Sequence, residues 1–396
     1  MPKFRALLLC RYCFLCCLCF LIFRPVYALE CPSTTKGTSQ EASAVATLLA
    51  YQKHCTPAQQ IVHVLRVDPN RFEIRAVHAK GQALGLAPLS ELAQAHGAIA
   101  GINGGFFKSG GELIDGLAAG LLKINQQWYG IAYRNRGAIG WSQQGKMTRV
   151  DRLRTRTRLY LNHHAYRVHS LNTASHARRS AVYTNVYPAP VIPTPHTEAF
   201  IIKNRQLAAI KSTGPLQVPT ENDSAIYLRP AAQVSPADRN LGQAATLAIE
   251  VRPQFFKEHY LSWQHLDNIV SGGPLLIVNN QLIQDYTAEK ISPTFIRERY
   301  ARTAVGTLKN GHWLLAVVEQ NAITQSPGMS IPELARFMKA QGCVYALNLD
   351  GGHSSTLYLN QQIMNHPSGV DDETAENTGY HAPSRPIADA ILIIPK

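Results

Sequence analysis

Three short apolar runs in this sequence end in the same way, with a polar residue followed by two glycines. Residues 98–102 lead into Asn103-Gly104-Gly105, residues 268–270 lead into Ser271-Gly272-Gly273, and residues 344–349 lead into Asp350-Gly351-Gly352. Apolar runs of this length bounded by turn residues are typical of buried strands. Paired glycines tolerate positive φ and allow another group to approach the backbone closely. The pattern therefore predicts buried strands whose ends present polar side chains and bare backbone N–H groups.

The third of these runs lies in segment 343–359, which contains the largest number of side chains that could take part in a reaction. It predicts a strand, a turn at Asp350, and a second strand over 356–359, with Ser354 and Ser355 between them. Two interpretations stay open on spacing alone. The segment is either a β-hairpin with an ordinary Asp-Gly turn or a turn that binds a sugar or phosphate oxygen.

The remaining pattern predicts many strands and few helices. We expect a helix over 41–54, a β-hairpin formed by 61–67 and 71–77, and paired strands at 302–306 and 313–318. Ser330 and Glu333 form a capping box that starts a helix ending at Gly342. The expected fold class is α+β, strand-rich, with a mixed β-sheet core and a few flanking helices.

The first 28 residues have the composition of a secretory signal peptide. A basic start precedes an apolar run over 13–23, and Val26-Tyr27-Ala28 offers a small-residue cleavage site. The apolar run is too short to remain as a membrane span, and Glu30 disfavours lipid attachment at Cys31. We therefore expect a periplasmic or secreted protein without a stable membrane anchor. The expected divisions are a signal peptide (1–28), an N-terminal segment packed on the main domain (29–97) and the main domain (98–396).

Three of the eight cysteines lie outside the signal peptide. Cys31 and Cys55 are expected to form a disulfide in an exported protein, and Cys343 is expected to be buried within a strand. No Cys-x-x-Cys pair lies outside the signal peptide, and His163, His164 and His169 have no neighbouring cysteine or paired acid. The sequence therefore predicts no metal site and no cofactor.

The chain is basic, with a formal net charge of +13, and the four basic residues of the signal peptide leave +9 after cleavage. Such a charge favours polyanionic partners. Arg152, Arg154, Arg156 and Arg158 alternate along one predicted strand, so they share a face. This face either holds a polyanionic glycan or is simply solvated. No nucleic-acid recognition motif accompanies the charge, so we expect no nucleic-acid partner.

Five ordered motifs resemble the phosphodiester glycosidase family. They are INGGFF at 102–107, SGGPLLI at 271–277, RTAVG at 302–306, SPGMSIPELARFMKAQG at 326–342 and NLDGGHSST at 348–356. The resemblance covers roughly residues 98–394. It implies an exported hydrolase that cleaves the glycosidic C1–O bond of a sugar-1-phosphodiester, with a phosphorylated glycan or polysaccharide as its substrate.

The resemblance implies that the motif residues belong to the active site. Asp350 is assigned as nucleophile or base, and Arg302 as the cation that holds phosphate. The expected substrate-binding residues are Asn103, Gly104, Gly105, Ser271, Gly272, Gly273, Thr303, Asn348, Gly351, Gly352, His353, Ser354 and Ser355. The chain departs from the family pattern at His353, where relatives carry a third glycine, and at Glu319-Gln320-Asn321, where they often carry Asp-Gly-Arg.

Two other functions compete with this hypothesis, a serine hydrolase and a non-catalytic carbohydrate-binding or export factor. A serine hydrolase using Ser354 and His353 does not fit, because Thr356 occupies the position of the second glycine in G-x-S-x-G. An exopolysaccharide-associated carbohydrate-binding or export factor without hydrolase activity remains an alternative. The oligomeric state and the natural substrate stay open at this point.

Overall fold

The computed structural model describes residues 49–132, 134–143, 147–173, 179–369 and 384–396. In its first half the strands are β1 (Ala50–Cys55), β2 (Ile61–Val67), β3 (Phe72–His78), β4 (Ala100–Asn103), β5 (Leu122–Ile124), β6 (Gln127–Gly130), β7 (Arg136–Trp141), β8 (Thr148–Leu161), β9 (His164–Arg167), β10 (Ser170–Leu171), β11 (Ala181–Thr184), β12 (Thr197–Lys203) and β13 (Gln206–Lys211).

The second half continues with β14 (Ala225–Pro230), β15 (Ala245–Pro253), β16 (Asn268–Ser271), β17 (Leu275–Val278), β18 (Gln281–Leu282), β19 (Arg302–Leu308), β20 (Trp313–Val318), β21 (Gln320–Asn321), β22 (Ser326–Pro327), β23 (Cys343–Asn348), β24 (Leu357–Leu359), β25 (Gln362–Ile363) and β26 (Asp389–Pro395). The α-helices are α1 (Leu89–Ala95), α2 (Tyr260–His265), α3 (Pro293–Arg297) and α4 (Ile331–Ala340). The strand-rich character predicted from the sequence is confirmed.

Four larger sheets and one short pair contain these strands. The central sheet has the order β1-β2-β20-β19-β23-β17-β18, and a second has the order β25-β24-β4-β26-β3. A third runs β15-β8-β7-β16-β5-β6 with β9 beside β8, and a fourth runs β10-β11-β14-β12-β13. The one parallel pairing in the described residues joins β10 to β11, so the mixed character predicted for the core is confined to that two-residue contact.

The largest apolar cluster lies between the central sheet, the β4–β26 sheet and the β7–β16 sheet. At its centre, the rings of Trp141 and Trp313 meet edge to face at 5.1 Å, and Trp141 Nε1 donates to the Ile74 carbonyl at 2.7 Å. Helix α4 covers the other face of the central sheet with Leu334 and Met338. The central sheet is thus buried on both faces, which explains why its strands read as continuous apolar runs.

The predicted strands form as expected, but two of the predicted hairpins do not. Strands β2 and β3 match the expected ranges, yet β2 pairs with β1 and β20 whereas β3 pairs with β26. Strands β23 and β24 likewise lie in different sheets. The hairpin interpretation of segment 343–359 is therefore wrong, because the turn at Asp350 carries the chain from one sheet to another.

The predicted helices have mixed outcomes. The capping box of α4 is present, since Ser330 N donates to Glu333 Oε2 at 2.8 Å. The helix expected over 41–54 is wrong for residues 50–54, which belong to β1, and its residues 41–48 lie outside the described residues. The six residues of β1 pair in register with β2, and this pairing outweighs a weak local helical preference.

The predictions for the N-terminus fall largely outside the described part of the chain. The predicted signal peptide, its predicted cleavage site and Cys31 all lie outside the described residues. Cys55 is disulfide-bonded and Cys343 is a buried free thiol, the latter as predicted. In the described residues, no helix is both long enough and apolar enough to span a membrane. Strands β1 to β3 belong to the sheets that also carry β19 and β4.

Candidate active site

Antiparallel pairing brings the polar strand ends together. The end of β4 at Asn103 lies beside the starts of β24 and β26, because both pair antiparallel with β4. In the central sheet, the end of β23 at Asn348 likewise lies beside the start of β19 at Arg302. Polar residues that follow one strand therefore meet polar residues that precede its neighbours.

The glycine motifs are the corners at which the chain changes sheets. Ser271-Gly272-Gly273 links β16 of the third sheet to β17 of the central sheet. A Cβ on Gly272 would lie 2.1 Å from the Asn348 carbonyl oxygen, so only glycine allows this approach. The Asn348 side-chain nitrogen donates to the Gly273 carbonyl at 2.7 Å. Two of the predicted motifs are therefore in direct contact.

Asn103 connects two further motif segments, 302–306 and 348–356. Its side-chain nitrogen donates to the Asp350 carbonyl at 2.9 Å. Its side-chain oxygen accepts from the Thr303 hydroxyl at 2.7 Å and from Thr356 N at 3.2 Å. The Asn103 amide thus holds the strand ends together through one donated and two accepted hydrogen bonds, one of them to the backbone of Asp350.

We call the place where the ends of β4 and β23 meet the starts of β19, β24 and β26 the junction. Asp350 is a partly exposed carboxylate at this junction. Its backbone N–H donates to the Gly104 carbonyl at 3.1 Å, and Gly351 N donates to its Oδ1 at 3.0 Å. Burial raises the pKa of Asp350 to about 6, while the Ser354 hydroxyl, the Gly351 N–H and the Arg385 charge act in the opposite direction. This carboxylate titrates close to neutral pH, as groups that take part in acid–base chemistry commonly do.

Asp389 is a second carboxylate at the same junction, and the sequence interpretation missed it. It starts β26, is 3 % exposed, and accepts from Gly105 N at 2.8 Å through Oδ1. A Cβ on Gly104 would lie 1.9 Å from this oxygen, so glycine at 104 is required for the contact. Burial raises the pKa of Asp389 to about 7, opposed by the Gly105 N–H and reinforced by the charge of Asp350.

A sequence signal for Asp389 does exist. Asp389 immediately precedes the last apolar run of the chain, so it is a polar residue at a strand end like the other three. Asn103, Ser271 and Asp350 follow the apolar run of a strand, whereas Asp389 precedes one. In an antiparallel sheet both positions reach the same edge.

A cleft of about 400 Å³ lies next to this junction. Its lining combines motif residues with segments not singled out from the sequence: Phe106, Phe107, Ala119, Gly120, Arg136, Ser271, Gly272, Lys290, Ile291, Ser292 and Phe295. The rings of Phe106 and Phe295 meet edge to face at 6.2 Å across it. Aromatic walls with a small number of polar groups are typical of ligand sites.

Two cations line the cleft and a third lies beside one of its lining residues, and none was among the predicted site residues. Arg136 and Lys290 line it. The Arg385 guanidinium carbon lies 5.3 Å from the Phe107 ring centre, and its charge lowers the pKa of Asp350. Arg385 therefore links the cleft to the carboxylates. Isolated basic residues, whether in loops like Lys290 and Arg385 or at the start of a strand like Arg136, give no sequence signal, which explains why they were missed.

Glu289 anchors the cationic wall of the cleft. It is completely buried and accepts from Gly137 N and Leu275 N, each at 2.9 Å. Arg152 Nε lies 3.3 Å from the same carboxylate. The charge of Glu289 also raises the pKa of Arg136, although burial of that guanidinium lowers it more. Glu289 thereby holds the segment that carries Lys290 against β7 and β17.

Arg302 is completely buried beside the junction. Its Nε donates to the Met329 carbonyl at 2.9 Å, and its Nη2 donates to the carbonyls of Phe295 and Glu298 at 2.8 and 2.9 Å. Burial lowers the pKa of Arg302 to about 10. Its Nη1 has no hydrogen-bond partner within the described residues. Arg302 thus ties the segment around α3, which lines the cleft, to the start of β19.

The remaining predicted residues also lie at or near the junction. Gly352 to Ser354 form a short 3₁₀ turn, in which Ser354 is buried and His353 is exposed. A Cβ on Gly369 would lie 2.5 Å from His353 Nε2, so the imidazole packs on that backbone. Ser355 is buried at the start of β24. Among the described side chains, no group of three His, Cys, Asp or Glu residues could hold a metal ion.

Comparisons with known proteins identify the family and the fold of this chain. A family model described as Phosphodiester glycosidase matches residues 196–394, half of the chain. The N-acetylglucosamine-1-phosphodiester alpha-N-acetylglucosaminidase of Mus musculus is 35% identical over 102 residues, which are 25% of this chain and 19% of the mouse protein. The chain thus matches about a fifth of the length of that relative.

Two crystal structures share the fold. A hypothetical protein from Synechocystis superposes with a TM-score of 0.72 at 24% identity, covering 88% of this chain and 62% of that one. A Burkholderia pseudomallei protein described as exported gives a TM-score of 0.67 at 20% identity, covering 85% and 74%. The matched family region contains Ser271, Arg302, Asp350 and Asp389, and the fold adds Asn103 to them. The chain belongs to the phosphodiester glycosidase family.

Proposed function

We propose that this protein is an exported hydrolase that cleaves the glycosidic C1–O bond of a sugar-1-phosphodiester. The observation that carries the proposal is the pair of aspartates at a cationic cleft. Asp350 and Asp389 both contact Gly104, and the charge of Arg385, which lies over the Phe107 ring of the cleft, acts on Asp350. Paired carboxylates beside an anion-attracting cleft suit glycoside hydrolysis with a phosphate leaving group.

The chemistry of the leaving group explains why strong acid catalysis is unnecessary. Cleavage at C1 expels a phosphate monoester, whose second pKa is about 6, so it departs as a stable anion. The main requirements are a carboxylate near C1 and cations near the departing oxygens. Asp350 supplies the carboxylate near C1, either as nucleophile or as the base that activates water.

The two aspartates have different proposed roles. Asp350 is partly exposed and has the lower pKa, about 6, so it is ionised first as pH rises. Asp389 is buried with a pKa of about 7, so a neutral carboxyl lies beside an ionised one between these values. This separation keeps the site from carrying two adjacent negative charges that would repel an anionic substrate. Asp389 is therefore a positioning residue that acts through Asp350.

Phosphate recognition is assigned to the cations of the cleft. Arg136 and Lys290 line it, Arg385 lies beside its Phe107 ring, and guanidinium groups suit phosphate oxygens. The phosphate contact predicted for Arg302 from the sequence rests on its Nη1, the guanidinium nitrogen without a partner among the described residues. The hydroxyls of Ser271 and Ser355 are the candidates for orienting the sugar.

Export rests on the leader-like composition of residues 1–28 and on the similarity to a protein described as exported. The phosphorylated substrate rests on the family and on the name of the mouse relative, which describes an enzyme that acts on an N-acetylglucosamine-1-phosphodiester. A periplasmic or secreted location would place the protein with glycans that carry such linkages.

The test measures release of free reducing sugar from an N-acetylglucosamine-1-phosphodiester by the wild type and by Asp350→Asn. The amide keeps the shape of the side chain and removes its charge, so turnover should fall by orders of magnitude. Asp223→Asn is the matched control, since Asp223 is an exposed residue in a surface ion pair with Arg205. Equal thermal unfolding temperatures for the three proteins would show that the comparison concerns the site.

Two outcomes would overturn the proposal. If folded Asp350→Asn keeps near-normal turnover, the reacting carboxylate is another residue. If the wild type binds phosphorylated glycans and releases no reducing sugar from any tested sugar-1-phosphodiester, the protein is a carbohydrate-binding or export factor rather than a hydrolase.

A further inference from the structure

The arginines predicted to share one strand face divide into two groups. Arg152 is buried and pairs with Glu289, so it belongs to the framework of the cleft. Arg154 and Arg156 are exposed on β8, and Arg158 is half-buried beside them. Leu153, Leu159 and Leu161, at odd positions of the same strand, pack in the core. The even positions therefore form the outer face.

Neighbouring strands add two arginines to this face. Arg252 of β15 lies directly opposite Arg154, and Arg167 of β9 lies directly opposite Arg158. Residues directly opposite each other on antiparallel strands project from the same face. We call Arg154, Arg156, Arg158, Arg167 and Arg252 the arginine track.

The pairing in this track is unfavourable in the free protein. Like charges directly opposite on adjacent strands destabilise a sheet, and the track contains two such pairs. Among the described residues, Glu250 is the carboxylate that pairs with the track: it forms an ion pair with Arg252 at 2.6 Å and lies directly opposite Arg156. Five positive charges thus face one negative charge. An arrangement that costs stability without a ligand indicates a surface suited to an anion.

The track begins at the candidate active site. Arg154 Nε hydrogen-bonds the side chain of Asn135, the residue before Arg136 of the cleft. Arg152, two residues before Arg154, pairs with Glu289, the residue before Lys290 of the cleft. Basic groups therefore continue from the cleft onto the outer face of β8 without a long interruption.

The spacing of the track suits a polymer. Alternate residues of a strand lie roughly 6.7 Å apart, so Arg154, Arg156 and Arg158 extend over about 13 Å. A single sugar phosphate bound in the cleft would not reach this far, whereas a chain with an anionic group on successive repeats would. Single-stranded nucleic-acid sites combine such charge with several aromatic stacking platforms, whereas Tyr160 is the one aromatic residue at the even positions of β8, so single-stranded DNA is included in the binding test below.

We propose that the arginine track binds the continuation of a polyanionic glycan whose end is bound in the cleft. The substrate class is then a polysaccharide with phosphodiesters between its repeats, rather than an isolated sugar phosphodiester. This inference rests on the proposed function for the identity of the glycan, but binding can be tested without turnover.

The test measures equilibrium binding of the full protein to a soluble phosphodiester-linked polysaccharide. The triple variant Arg154→Gln, Arg156→Gln, Arg158→Gln should bind about tenfold or more weakly than wild type at low salt, since each exposed charge pair contributes a modest amount. The difference should shrink as salt rises, because exposed charges are screened over about 8 Å at physiological ionic strength. The control variant Arg71→Gln, Lys203→Gln, Arg205→Gln removes equal charge elsewhere and should bind like wild type.

A second readout separates binding from a structural role. The triple variant removes one arginine from each like-charge pair, so its unfolding temperature at low salt should equal or exceed that of wild type. A lower unfolding temperature together with weaker binding would contradict the proposal, because lost binding would then follow from a damaged fold.

Two further binding measurements identify the class of partner. Single-stranded DNA of equal charge and vesicles containing phosphatidylglycerol are offered in place of the glycan. Tighter binding of either, or equal loss of affinity in triple and control variants, would overturn the proposal. Glycan binding that depends on the track in a protein that releases no sugar would reject the proposed hydrolysis and leave the track supported.

Discussion

The backbone N–H of Gly105 donates to Oδ1 of Asp389 at 2.8 Å, joining two residues 284 positions apart in the chain. This bond fixes the second carboxylate at the edge where the family motifs meet. Because a Cβ at the neighbouring Gly104 would overlap the same oxygen, the conformation of the glycine pair and the position of the carboxylate depend on each other. The consequences can be tested one residue at a time.

Asp389→Asn should change the pH profile of activity. With Asp350 near pKa 6 and Asp389 near pKa 7, wild-type activity should rise with ionisation of the first and fall with ionisation of the second. The variant cannot acquire the second charge, so its decline above about pH 7 should disappear while the rise near pH 6 remains. A profile of kcat/KM from pH 5 to 9 measures both limbs. An unchanged alkaline limb would show that Asp389 does not act through Asp350.

The same variant should alter stability in a predictable direction. The folded pKa of Asp389, about 7, lies above its ordinary value of 3.8, so the folded protein binds more protons between these values. Stability contributed by this group is therefore lost as pH rises from about 4 to 7. Asp389→Asn should be more stable than wild type at pH 8, by at most about 1.4 kcal/mol for each unit of pKa difference. Urea unfolding at pH 4.5 and pH 8 compares the two. Equal pH dependence would contradict the assignment.

Gly104→Ala should impair the site more than the fold. The new Cβ would lie 1.9 Å from Asp389 Oδ1 and 3.0 Å from the Asp389 carbonyl oxygen, so the carboxylate must move. Activity should fall by at least about tenfold, since an ångström-scale misplacement at a site can cost about a hundredfold.

Gly101→Ala, on the same strand, is the control for Gly104→Ala. Its Cβ would meet the flexible end of Leu392 at 2.7 Å, so it should lower the unfolding temperature and keep activity per folded molecule. If Gly104→Ala retains full activity, the contact between the glycine pair and Asp389 has no role in the reaction.

Arg385→Gln should weaken the phosphodiester reaction and shift its pH dependence. The Arg385 charge lowers the pKa of Asp350, so its removal should move the acid limb of the profile to higher pH. Hydrolysis of the phosphodiester should suffer more than hydrolysis of an uncharged aryl glycoside, because the lost cation attracts phosphate. Arg71→Gln, at another exposed arginine, is the control and should show neither effect. Equal loss on both substrates without a pH shift would count against a phosphate role.

Arg302→Lys tests whether Arg302 contacts phosphate or only supports the cleft. Lysine keeps the charge but loses the fork that donates to three backbone carbonyls. If Nη1 binds phosphate, phosphodiester cleavage should fall severely and aryl glycoside cleavage much less. A purely supporting arginine would reduce both activities alike, together with the unfolding temperature.

The sequence predicts the individual strands and helices of this protein better than it predicts their pairing or the chemistry of the site. Apolar runs, glycine pairs and the capping box specified the strands β4, β16, β17, β20 and β23 and helix α4 closely, because burial and turn chemistry act locally. The family motifs likewise pointed to Asn103, Ser271, Arg302 and Asp350, all of which lie at one junction. These predictions needed only the residue and its immediate neighbours.

Which strands pair was decided by the tertiary structure. Strands β2 and β3 looked like a hairpin, and so did β23 and β24, yet each pair is divided between two sheets. An Asp-Gly or Asp-Pro turn permits a hairpin but does not require one. Burial of an apolar strand against a distant partner contributes more than the local turn, and that partner is invisible in a local pattern.

Part of the chemistry of the site likewise follows from the sequence, and part follows only from the tertiary structure. The sequence alone determined that the chain would be strand-rich and that Asp350 would follow a buried strand. Only the fold brought Asp389, Arg136, Lys290 and Arg385 to that strand end, and only burial moved the pKa values of the two aspartates toward neutrality. Solvation and long-range charge depend on three-dimensional surroundings, so no spacing of residues along the chain could have specified them.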